Sequence, residues 1–164
     1  MNWQPNITPG DRALSVLPYL IPTMQAIVLV LSTAAPGESI IDQVPIFQPL
    51  VVLLLPLIRI YYGFPLASFL VFILLFTLVV RNDKISRFIR YNTMQSIILG
   101  IVVSLSGLVI AYILTPLGGF VVQTIGSTIF LGILAGVVYS VVQCVRGEYA
   151  EIPTISDAVH VQVR

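Results

Sequence analysis

Residues 91–145 contain no Asp, Glu, Lys or Arg. A helix needs about 20 apolar residues to cross a hydrocarbon core of roughly 30 Å, so this stretch is long enough for two passes. A chain of 164 residues cannot hide so much uncharged surface from water. The expected fold is therefore all-α: a polytopic membrane protein whose backbone polar groups are satisfied inside helices. Composition agrees, with 57% apolar and 9% charged residues, against about 25% charged in a typical soluble domain.

Residues 1–164 read as a single membrane domain with spans at about 13–33, 61–80, 93–114 and 120–143. Pro18 and Pro22 predict a kink near the start of the first. Residues 34–44 read as a loop. Residues 45–60 are apolar but short, carry Pro45, Pro49 and Pro56, and hold Arg59 near their end. Such a piece is more often re-entrant or interfacial than spanning. The turn Thr115-Pro116-Leu117-Gly118-Gly119 separates the last two spans, and residues 146–164 form a polar, mixed tail.

Charge placement sets the orientation. With four spans and an inner N-terminus, Arg12, Arg81, Lys84, Arg87, Arg90, Arg146 and Arg164 all lie inside, and only Arg59 lies outside, beside Glu38 and Asp42. This fits the positive-inside rule. A five-span topology that counts 45–60 as a crossing misplaces Arg12, so four spans are preferred. Trp3 and Tyr61-Tyr62 suit interfacial positions.

The dense charge cluster, Arg81 to Arg90, has helical periodicity, with Ile85, Phe88 and Ile89 on one face and Lys84, Arg87 and Arg90 on or near the other. It reads as a short basic amphipathic helix on the inner leaflet, capped by Asn82 or Asp83. Lys84, Arg87 and Arg90 are candidate contacts to anionic lipid or to a partner, at about 1 kcal/mol per basic residue. The plainer reading makes the cluster an orientation signal and lipid anchor. Small residues repeat at helical spacing, including Gly100, Ser104 and Gly107 in the third span and Gly132, Gly136 and Ser140 in the fourth. They predict close packing of the third span on the fourth, or else on another subunit.

The spans hold no ionisable side chain at mid-depth; their polar groups are Gln25, Gln95, Gln123, Gln143 and hydroxyls. That argues against a proton- or cation-coupled carrier acting alone. No nucleophile–base pair, phosphate loop or metal-spaced ligand set is present, and Cys144 and His160 are the sole Cys and His. Neither an enzymatic role nor a cofactor is expected, nor is nucleic acid as a partner. The opening residues lack the features of a transit or signal peptide, which for a whole chain predicts synthesis in the compartment where it acts.

Three segments carry a resemblance. They are Leu53-Leu54-Leu55-Pro56-Leu57-Ile58-Arg59-Ile60-Tyr61 with Pro65-Leu66-Ala67-Ser68-Phe69; Val79-Val80-Arg81-Asn82 with Ser86-Arg87-Phe88-Ile89-Arg90-Tyr91-Asn92-Thr93-Met94-Gln95; and Tyr139 to Gly147 with Ile152-Pro153-Thr154-Ile155-Ser156-Asp157-Ala158-Val159. Together they resemble the Tic family of twenty-kilodalton membrane subunits from the translocon at the chloroplast inner envelope, including its cyanobacterial and plastid-encoded members. Arg59, Arg81, Asn82, Asn92 and Gln95 are the motif residues. The resemblance implies a four-helix subunit of a protein translocation complex, with other membrane subunits as partners and a translocating polypeptide as passenger. It implies residence in the plastid inner envelope or a cyanobacterial membrane, with both termini on the side of synthesis. The alternatives are a non-transporting scaffold or assembly subunit of a photosynthetic membrane complex, and a small-solute channel.

Overall fold

The structure is a computed structural model that describes residues 7–152 and 155–163. Trp3, Pro153, Thr154, Arg164 and the side chain of His160 lie outside the described residues.

Thr8 opens the first helix, α1 (Pro9–Ser32). Its hydroxyl accepts from the Asp11 N–H at 3.1 Å, and the Asp11 carboxylate accepts from the Thr8 N–H at 3.0 Å. This is a capping box with Pro9 at the first helical position. Pro18 tightens the chain into a 3₁₀ turn at Leu17–Tyr19, where a kink is expected from the sequence. Six helices follow: α2 (Ile40–Gln43), α3 (Pro45–Gly63), α4 (Ala67–Val80), α5 (Arg87–Leu117), α6 (Gly119–Arg146) and α7 (Ile155–Gln162). There is no strand among the described residues. By length and composition α1, α3, α5 and α6 could each cross a membrane, and α4 is shorter.

The helix expected over 61–80 is interrupted. Pro65 holds Phe64 extended (φ −111, ψ 122) and Leu66 adopts a left-handed φ of 68. Tyr61 and Tyr62 therefore finish α3, which reaches 19 residues instead of ending at Ile60. The basic amphipathic helix is absent as a separate element. Residues 81–86 make a turn in which the Asn82 side chain accepts from the Lys84 N–H at 3.1 Å. That local bond competes with helix formation. Ser86, not Asn82 or Asp83, caps α5 by accepting from the Ile89 N–H. The turn is needed because α4 and α5 run antiparallel.

The start of α1 meets the end of α6, where Arg12 Nη1 donates to the Val145 carbonyl at 3.2 Å. The cation thereby sits on the orphan carbonyls and negative pole of α6. Depths can be measured from that level. At 1.5 Å per residue, Gln25 lies about 20 Å along α1, and Phe130 about 22 Å along α6. α3 touches both: Phe47 packs edge-on to Phe130 with ring centroids 5.4 Å apart, and the Tyr61 hydroxyl accepts from Gln25 Nε2 at 3.2 Å. Its two ends thus lie at nearly the same depth, and α3 runs across the bundle. α4 returns the chain: Ser68 and Phe72 border a crevice with Gln25, while Leu75 and Val79 border another with Leu14 and Leu17.

α1 is the central element. Ala26, Ile27 and Val30 are at most 1% exposed and pack among Leu99 and Val103 of α5 and Phe130, Ile133 and Val137 of α6. The small residues explain why α1 can enter. A Cβ on Gly100 would stand 2.7 Å from Gln25 Oε1, and one on Gly126 would overlap the Thr33 hydroxyl. Gly107 faces Leu29. These glycines admit α1, which corrects the expectation that the small faces chiefly pack the third span directly on the fourth.

The tail folds back. Tyr149 packs edge-on between Phe88 and Tyr91, at 5.3 and 5.0 Å. Val159 and Val163 bury against Val80, Tyr91, Met94 and Ile97. Burial pushes the Tyr149 phenol up, and the nearby Arg87 charge partly opposes this.

Candidate functional site

The motif Arg90-Tyr91-Asn92-Thr93-Met94-Gln95 forms the first turns of α5 and is buried throughout. It meets polar side chains at four-residue spacing on the two neighbouring helices: Ser15, Tyr19 and Thr23 on α1, and Ser140 and Cys144 on α6. Asn92 is the junction. Its Oδ1 accepts from the Tyr19 hydroxyl at 3.0 Å and from the Cys144 thiol at 3.1 Å, and its Nδ2 donates to the Phe88 carbonyl at 2.9 Å. Gln95 Nε2 donates to Ser140 Oγ at 3.2 Å, and Ser96 donates to the Pro18 carbonyl at 2.6 Å. Ser15 Oγ, Thr93 Oγ1 and Gln95 Oε1 have no partner among the described residues. Bonds of this kind between membrane helices stabilise association by about 0.6–2 kcal/mol each. The layer stitches three helices at one depth. It contains no carboxylate or imidazole, so it lacks a proton-relay pair and a nucleophile–base pair.

The basic residues divide. Arg90 is not on the outer face: it is 9% exposed, its Nε donates to the Val80 carbonyl at 2.8 Å, and its Nη1 pairs with Asp83 at 2.9 Å. It closes the turn between α4 and α5. Arg81, Lys84 and Arg87 are exposed around that turn. Asn82 shapes the turn, as described above. Arg59 lies exposed on α3, away from this cluster in the chain and in depth.

The small residues divide too. Gly100 and Gly107 meet α1, and Ser140 lies in the polar layer. Ser104 is exposed and returns its hydroxyl to the Gly100 carbonyl. Gly132 has open space where a side chain would stand, and Gly136 has only Ile152 near, at 3.8 Å. Sequence reasoning singled out Asn92 and Gln95 but missed Tyr19, Ser15 and Cys144. The signal was present as polar residues four apart on a single face of α1 and of α6.

Fold and polar layer define an all-α integral membrane protein, cored by three long helices that polar side chains cross-link. The family profile described as "Chloroplast import apparatus Tic20-like" matches residues 9–159. A "Tic20 family protein" of Synechocystis sp. is 46% identical over 156 residues, covering 94% of this chain and 93% of the relative. "Protein TIC 20-v, chloroplastic" of Arabidopsis thaliana is 34% identical over 161 residues, covering 96% and 73%. "Tic20 family protein Ycf60" of Porphyra purpurea is 29% identical over 156 residues, covering 93% and 75%. The chain belongs to the Tic20 family. At that level it is a protein-import-related integral membrane protein of plastid or cyanobacterial membranes.

Proposed function

We propose that this chain is a membrane subunit of a protein translocation complex and contributes to the path of the passenger only together with other membrane subunits. The observation that carries this is the contrast between a filled core and a bare flank. Ala26, Ile27, Val30 and Phe130 are buried in the three-helix interior and fill it with apolar side chains. α3 meanwhile has only 6% of its apolar window buried, leaving Val52, Leu53 and Ile60 uncovered. A path shared with partners fits along such a flank. A scaffold role uses the same flank without a passenger, whereas a small-solute channel through one copy has no support from the filled core.

The test places a photo-reactive side chain at Leu53 or Ile60, with Tyr112 at the bare end of α5 as the comparison site. A translocating chain arrested in the membrane should crosslink from α3 positions. Crosslinks to stable subunits alone would favour the scaffold. In mild detergent the protein should migrate in an assembly far larger than 18.0 kDa.

The same reading puts both termini and the basic turn on the side of synthesis and α3 within the opposite leaflet. Cysteines placed at Glu38, Arg59 and Ser86 check it, since Cys144 is buried and reacts poorly. Glu38→Cys and Arg59→Cys should label from one side and Ser86→Cys from the other. Labelling of Arg59→Cys together with Ser86→Cys would mean that α3 crosses.

A further inference from the structure

We propose that a crevice beside the basic turn is a binding site for one anionic phospholipid, held by its phosphate and by one acyl chain. The crevice measures about 520 Å³, within the roughly 300–1,000 Å³ range of ligand sites. Leu14 and Leu17 of α1, Leu75 and Val79 of α4, and Ile85 and Ile89 after the turn form its apolar wall. Lys84 stands exposed at the mouth and makes no ion pair among the described residues. Ser86 is also at the mouth, where its hydroxyl oxygen already accepts from the Ile89 N–H and lies beside Asp11. Asp11, the acid at this mouth, already accepts from the N–H and hydroxyl of Thr8.

The wall itself carries a second, independent mark. Thr93 is fully buried, borders the crevice, and has a hydroxyl without a partner. It lies about 10 Å along the helix from Ser86 at the mouth. A cation at the rim, a hydroxyl donor below it and an apolar slot match the order of phosphate, ester carbonyl and acyl chain. An unattached phosphate would use only the first of these. A peptide would leave the slot unmatched to a charge placed solely at its mouth.

Native mass spectrometry of the whole protein released from micelles tests this, with phosphatidylglycerol and phosphatidylcholine as probes. One phosphatidylglycerol should be retained per chain, in preference to phosphatidylcholine. Lys84→Gln should weaken retention about fivefold, the factor implied by about 1 kcal/mol per basic residue near a membrane surface. Ile85→Trp, which fills the slot from the turn, should abolish retention, and Arg59→Gln should leave it unchanged. Millimolar inorganic phosphate should not displace the lipid. Equal retention of both lipids, displacement by phosphate, or unchanged retention in Lys84→Gln would each overturn the proposal. Because Lys84 is exposed, that variant keeps its fold, so its result stands even if Ile85→Trp misfolds.

Discussion

α1 and α3 are both long and apolar enough to cross a membrane, yet 56% of the apolar window of α1 is buried against 6% for α3. α1 runs down the middle of the bundle. α3 lies across it, pinned through Phe47, Leu54 and Tyr61. Apolar content therefore does not decide which helix is central. In lipid, leucine gains little by leaving the bilayer for a protein interior, and close approach and polar bonds decide instead. α1 has both, with glycines opposite Gln25, Leu29 and Thr33 and the polar layer opposite Ser15, Tyr19 and Thr23. α3 has one aromatic contact to another helix, Phe47 on Phe130, and a single side-chain hydrogen bond at Tyr61 among its described residues.

That comparison can be broken at the glycines. Gly126→Val drives a side chain into Thr33, and Gly100→Val drives one into Gln25. Each should destabilise by about 1–3 kcal/mol, as overpacking does. Gly132→Val, whose site is open, should be near neutral. Unfolding in mixed detergent would measure all three, and equal effects at Gly126 and Gly132 would show that α1 does not depend on the close approach. A smaller effect, about 1–2 kcal/mol, is expected for Asn92→Leu, which leaves the Tyr19 hydroxyl and Cys144 thiol without their acceptor. An increase in the reactivity of Cys144 toward a maleimide should accompany it. The smallest effect belongs to α3. Leu53→Ala removes an exposed side chain and should change stability by less than about 0.5 kcal/mol. If α3 faces partners, the same variant should reduce the size of the assembly recovered in mild detergent, which sharpens the division between a helix kept for the fold and one kept for company.

The sequence carried the local punctuation well where one residue type has one physical effect. Pro18 marks the 3₁₀ turn, and the Thr8–Asp11 box and Gly147 mark helix ends. The break at Pro65 was equally available in the sequence, because the residue before a proline is pushed out of the helical region. It was overlooked because the apolar run continues unbroken through it. The basic turn misled for a different reason. Arg90 follows helical periodicity with Lys84 and Arg87, so its burial depends on Val80 and Asp83 folding over it, which no spacing within residues 81–90 reveals. Asn92 is marked by the resemblance alone and Gln95 also as a polar group within a span, but their partners Ser140, Tyr19 and Cys144 lie on helices distant in the chain.

What the chain determined by itself is its solvent and its secondary structure. Long uncharged runs demand lipid, and lipid demands that the backbone satisfy itself in helices. Which faces turn inward, and that α3 lies athwart its neighbours, were settled only by tertiary packing. Lipid tails and leucine side chains are nearly equivalent surroundings, so an apolar pattern cannot say which of them a helix will meet; only the fit of glycine notches and the pairing of scattered polar groups can.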